Sequence, residues 1–222
     1  MKNLVLAVCL IVLVSGCARA PKKDYTKFNS TSPHSLLVIP VVNRSVNVDA
    51  PNYFLSTIAI PVAEQGYYVF PVNMVKRVLE DDGLSDADLV HNAPTEKLAS
   101  LFGADAVLYI TIKRWDARYM VLSTTITVNI DYMIKDGKTG ETLWQDSRIV
   151  QYTPQGGSSG NILADLIVQA TVAAIEKAAP NYIPLAKQAN ATAFTYPGPG
   201  IPPGPYLHKE EKVVLAKEDK TK

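Results

Sequence analysis

The sequence predicts an α/β fold, and three patterns point to it. A continuous apolar run from Ser35 to Val42 reads as a strand buried on both faces. Alternation of apolar and polar residues from Ala104 to Ile134 reads as antiparallel strands with one wet face. Between these lie stretches whose apolar residues recur at helical spacing.

Taken in order, the elements form a β-α-β-α-α-β-β-β-α series. After the Ser35–Val42 strand, Tyr53 to Gln65 reads as a helix that Gly66 ends, with Pro61 expected to kink or shorten it. Tyr67 to Pro71 reads as a second strand, and Asn73 to Asp82 as a helix ending at Gly83. Pro94 opens a further short helix with Leu98, Leu101 and Phe102 on one side, and Gly103 closes it. Ala106, Leu108, Ile110 and Ile112 then share one face of a strand, as do Met120 to Ile134 at every second position. The turn Asp136-Gly-Lys-Thr-Gly140 leads to Glu141–Tyr152 as the hairpin partner, which completes an antiparallel meander. Asn161 caps a final, unusually apolar helix reaching about Ala179, where Pro180 stops it.

The ends of the chain have a different character. Met1-Lys2-Asn3 carries a positive charge, Leu4–Val14 is apolar, and small residues follow, as in a secretory signal too short to span a bilayer. The run Val14-Ser15-Gly16-Cys17 resembles a bacterial lipobox, with valine at the place where leucine is usual. It implies cleavage before Cys17 and a lipid on its thiol. Several acyl chains then make membrane attachment durable. Ala18, rather than aspartate, follows the cysteine, which by resemblance to enterobacterial sorting favours the outer membrane. The organisation expected is a signal peptide over 1–16, a lipidated tether over 17–34, a globular domain over 35–190, and a flexible tail over 191–222. That tail holds a proline- and glycine-rich stretch, Tyr196 to Tyr206, of polyproline type.

Composition narrows the chemistry. The chain has 22 basic and 21 acidic side chains, and loss of Lys2 with the signal balances them, which argues against nucleic acid as a partner. Of the 2 cysteines, Cys9 leaves with the signal and Cys17 takes the lipid, so no thiol remains for catalysis, disulfides or metal binding. His34, His91 and His208 lack neighbours at metal-ligand spacing and read as surface histidines in tether, loop and tail. Asp81, Asp82, Asp86 and Asp88 offer oxygen ligands without the terminal glutamate of a calcium loop, and read better as a helix end and loop. Gly156–Gly160 lacks the lysine of a phosphate-binding loop, and Ser158 and Ser159 lack a nucleophile elbow. No cofactor, metal, catalytic group or small-molecule substrate is assigned, and the enzyme reading is set aside.

The lipobox, the strand Ser35-Leu-Leu-Val-Ile-Pro40, the segment Gly103-Ala-Asp-Ala-Val-Leu-Tyr-Ile-Thr-Ile112 and the hairpin Asp136-Gly-Lys-Thr-Gly-Glu-Thr-Leu-Trp144 occur in a telling order. Together they resemble the small bacterial outer-membrane lipoproteins that include a neisserial surface antigen. The last two are also similar to elements of the TolB amino-terminal domain and of curli-secretion channel lipoproteins. The resemblance implies a mixed sheet with helices packed against it, and work by protein–protein association at the envelope. The expected role is a lipid-anchored, non-catalytic binding or accessory protein of a transport, secretion or assembly complex, its domain facing the periplasm. The alternative is a subunit of an oligomeric outer-membrane export channel. The only residue carried over by motif is Cys17.

Overall fold

A computed structural model describes residues 23–120, 123–152, 182–195 and 200–207. The signal, Cys17, the glycine loop at 156–160, the helix expected over 161–179 and His208 lie outside these residues. Within them, the predicted α/β class holds. A sheet ordered β3-β1-β4-β5-β6 is flanked by helices, and β2 pairs with β4 off this path.

The first strand, β1 (Ser35–Val38), lies between β3 (Tyr68–Val69) and β4 (Ala106–Met120) and is parallel to both. Its continuous apolar run is explained by two separate cores. Leu36 and Val38 enter one, while Leu37 and Ile39 enter the other. The short β2 (Val42–Asn43) extends the parallel part against Thr111 and Ile112. β5 (Ser123–Asp136) and β6 (Thr142–Tyr152) continue as the predicted antiparallel meander, so the sheet is mixed.

The larger core lies under α2 (Ala50–Glu64) and α6 (Ile183–Phe194). α2 begins three residues earlier than its sequence suggests, and it continues through Pro61. The smaller core lies under α3 (Val72–Asp81), α4 (Ala87–Asn92) and α5 (Thr95–Phe102), which supply Val75, Leu79, Val90, Leu98 and Ala99. Leu101, expected on the buried side of α5, is 51% exposed. α4 falls where the sequence reads as a loop. Asp86 makes it possible, because its carboxylate accepts from the Asp88 and Leu89 amides and caps the helix. α6 was not foreseen either. It is rich in alanine, and Ala186, Ala189 and Ala193 let it lie close against the sheet and α2.

Two boundaries drawn from composition differ from the structure. The stretch expected as tether contains α1 (Thr26–Thr31), whose Phe28 is fully within the core and meets Tyr67 edge-on at 6.1 Å. The tail expected to be flexible includes residues 200–207, which form a strap against the domain. Ile201 is buried, and the Tyr25 and Tyr67 hydroxyls donate to the carbonyls of Gly200 (2.6 Å) and Pro202 (2.5 Å). The Gly204 and Tyr206 amides donate to the Gln65 and Gly66 carbonyls at the end of α2. Polyproline backbone has no internal hydrogen bonds, so its carbonyls are free to accept from tyrosines.

Candidate sheet-face groove

The alternation in β4 has a more particular meaning than one dry and one wet face. Ala106, Leu108, Ile110 and Ile112 all face the larger core. On the other face Val107 and Tyr109 lie under α3–α5, and cover stops at Thr111 and Lys113. Beyond that line none of the described residues covers the outer face of β4, β5 and β6. That face forms a groove of about 590 Å³ floored by Thr111, Lys113, Asp131, Met133, Lys135 and Ser147, with His91 of α4 on its wall.

The floor is organised by charge. Lys113 Nζ lies 2.6 Å from Asp131 Oδ2, and the Ser147 hydroxyl donates to Asp131 Oδ1 at 2.7 Å. One carboxylate on β5 thus ties down groups from the strands on each side. Lys135 Nζ sits 4.8 Å from the centre of the Tyr109 ring, a cation–π contact. Tyr109 is also hydrogen-bonded to Thr95 at 2.8 Å. Burial raises the Tyr109 phenol above its ordinary pKa, and the Thr95 hydrogen bond opposes this.

His91, read from the sequence as a surface loop residue, is partly buried in α4. Its Nε2 donates to the Pro40 carbonyl at 2.9 Å, and its ring meets Tyr109 edge-on at 5.2 Å. Burial lowers its pKa below the ordinary 6.5, against the Pro40 hydrogen bond and the Asp88 charge that raise it. It therefore stands as a neutral donor at neutral pH.

The acidic cluster has structural tasks. Asp86 caps α4, and Asp88 makes a two-pronged ion pair with Arg44 beside β2. Among the described residues no group of three or more His, Cys, Asp or Glu side chains could hold a metal ion. His34 is exposed, and its amide, with that of Ser35, donates to the Asp105 carboxylate. The groove's serine donates to a carboxylate already paired with lysine, an arrangement suited to holding a polar partner rather than to activating a nucleophile. What sequence reasoning missed was the groove itself. The signal available was the change from Val107 and Tyr109 to Thr111 and Lys113 along one face of β4.

On the opposite face of β6, Lys23 is clamped. Its ammonium donates to the Gln145 carbonyl and Asp146 Oδ1, both at 2.7 Å, and lies 4.7 Å from the centre of the Trp144 ring. Asp146 also contacts Arg148 Nε at 2.6 Å, as an ion pair without hydrogen-bond alignment.

With this geometry in view, the comparisons with known proteins are informative. The model of the GNA1162-like lipoproteins matches residues 23–205. The chain belongs to this family. Lipoprotein NMB1124/NMB1162 of Neisseria meningitidis serogroup B is 36% identical over 174 residues, 78% of this chain and 80% of that protein. The crystal structure of lipoprotein GNA1162 from Neisseria meningitidis superposes with a TM-score of 0.55 at 34% identity, over 66% of this chain and 100% of that one. A weaker likeness, TM-score 0.46 at 13% identity over 83% and 95% of the two chains, is to PelC from Paraburkholderia phytofirmans, a dodecamer; it bears on neither assembly nor function here. Among the described residues of this lipoprotein no helix is long and apolar enough to cross a membrane.

Proposed function

We infer that this lipoprotein is held at the outer membrane by lipid on Cys17, with its domain in the periplasm. There it captures an extended segment of an envelope protein in the sheet-face groove, as a non-catalytic accessory of a transport, secretion or assembly complex. The observation that carries this reading is the outer face of β4–β6, which no described residue covers and whose groove brings Lys113, Asp131 and Lys135 together on neighbouring strands. Beside it, β6 is the terminal strand of the described sheet, and Ile149 stands 63% exposed on the same outer side as Ser147. A sheet edge next to a groove suits strand addition, in which backbone hydrogen bonds supply affinity and side-chain pockets supply choice.

The test compares the native protein with a Lys113→Glu, Lys135→Glu variant, each tagged, crosslinked in cells and read by mass spectrometry. The expected result is reproducible capture of envelope components by the native protein and loss of that capture in the variant, whose cooperative thermal melt shows that it still folds. Equal capture by both would remove the groove from the reading. Recovery of self-crosslinked copies alone would move the assignment to a subunit of an oligomeric export channel.

A further inference from the structure

The structure describes the chain from Lys23 onward, and Lys23 is fastened to the start of β6 by Asp146, the Gln145 carbonyl and the Trp144 ring. This fixes the exit point of the tether. Whatever conformation the intervening residues take, about six links between Cys17 and Lys23 span at most roughly 22 Å. A domain of this size is roughly 40 Å across. The lipid therefore cannot reach around the domain to its far side.

We propose that the surface formed by α1, the β5–β6 turn and the start of β6 docks against the lipid bilayer that carries the anchor. The reading rests on the proposed lipid at Cys17. The chemistry of that surface fits the headgroup region. Lys27, Asn29, Ser30, Lys138, Thr139, Glu141 and Thr142 are all exposed and polar there. Lys27 pairs with Glu141 at 3.3 Å across the junction of α1 and β6. None of the large exposed apolar side chains, such as Val46, Met74 or Leu101, belongs to α1 or to the turn. The surface rests on headgroups rather than inserting between acyl chains. α3, which packs on the smaller core, contributes no residue to this surface.

The full lipidated protein in vesicles of phosphatidylethanolamine and phosphatidylglycerol tests this. Because the mature chain carries no second cysteine, Lys27→Cys or Met74→Cys takes a single nitroxide; the two native side chains are 63% and 61% exposed. Relaxation of each label is measured against a nickel-chelating lipid. The expected result is enhancement several-fold greater at position 27 than at 74. An insertion of about twenty Gly/Ser residues after Pro21 should abolish that difference by lengthening the reach. Equal enhancement in the native-length protein, greater enhancement at 74, or a difference that survives the insertion would overturn the proposal. The mass of the purified protein separates the two readings. An unmodified Cys17 overturns the anchor and the docking together, whereas equal enhancement on a lipidated chain overturns docking alone.

Discussion

Asn190, on α6, is fully buried and joins three elements. Its carbonyl accepts from the Tyr132 hydroxyl of β5 at 2.7 Å, and its amide donates to Thr57 of α2 at 2.9 Å. Burial pushes the Tyr132 phenol well above its ordinary pKa, so it stays a donor. Replacing Asn190 with Ala would strand that hydroxyl in an aromatic setting of Phe54, Trp144 and Phe194. The expected loss is about 2–3 kcal/mol of unfolding free energy in urea, since a buried donor without a partner costs its desolvation. His91 gives a pH dependence. Its folded pKa lies below the unfolded value of 6.5, so the unfolded state binds the proton first. Its contribution is full above about pH 6.5 and is lost as pH falls below it, a slope that His91→Gln should flatten in melts recorded across pH 5–8. At the hairpin, burial raises the Asp136 carboxyl, but hydrogen bonds from the Thr139 and Lys138 amides and the Thr139 hydroxyl outweigh it and hold the pKa low. The Asp-Gly turn was legible in the sequence because the carboxylate that organises it is local.

Elements show where local pattern is overruled. α2 continues past Pro61 because tertiary packing of Phe54, Ile58 and Val62 outweighs one lost backbone bond. α1 was invisible because Phe28 alone supplies its anchor in an otherwise polar stretch. The strap is a stronger case. Proline and glycine mark it as neither helix nor strand, yet glycine is required where it crosses α2. A Cβ on Gly204 would come within 2.2 Å of the Gly66 carbonyl oxygen, and Gly66 itself holds φ +83° with Leu207 packed over it. Gly204→Ala is expected to destabilise by about 1–3 kcal/mol, because rigid backbone lies on both sides. Removing residues 200–222 would uncover Phe28 and Tyr67 and forfeit the burial of Ile201. The thermal midpoint should fall by about 6–12 °C relative to a chain ending at Leu207, read by circular dichroism.

For the whole molecule, the decisive feature is that the helices cover the sheet unevenly. α2 and α6 close one face, while α3, α4 and α5 close the other only as far as Tyr109, and the groove is what remains. Lys23 fastens the first of the described residues to the start of β6. The class, the meander and a first strand buried on both faces follow from the sequence alone, because two-residue periodicity and an uninterrupted apolar run are properties of neighbouring residues. The proposed lipobox is likewise a pattern of four consecutive positions. Tertiary structure alone decided which strand stands in the middle, how far the second helical layer extends, and that residues 200–207 return to cap α2. Those outcomes depend on contacts between residues distant in the chain, such as Leu36 with Ala106, Tyr67 with Pro202 and Lys23 with Asp146, for which no local pattern exists.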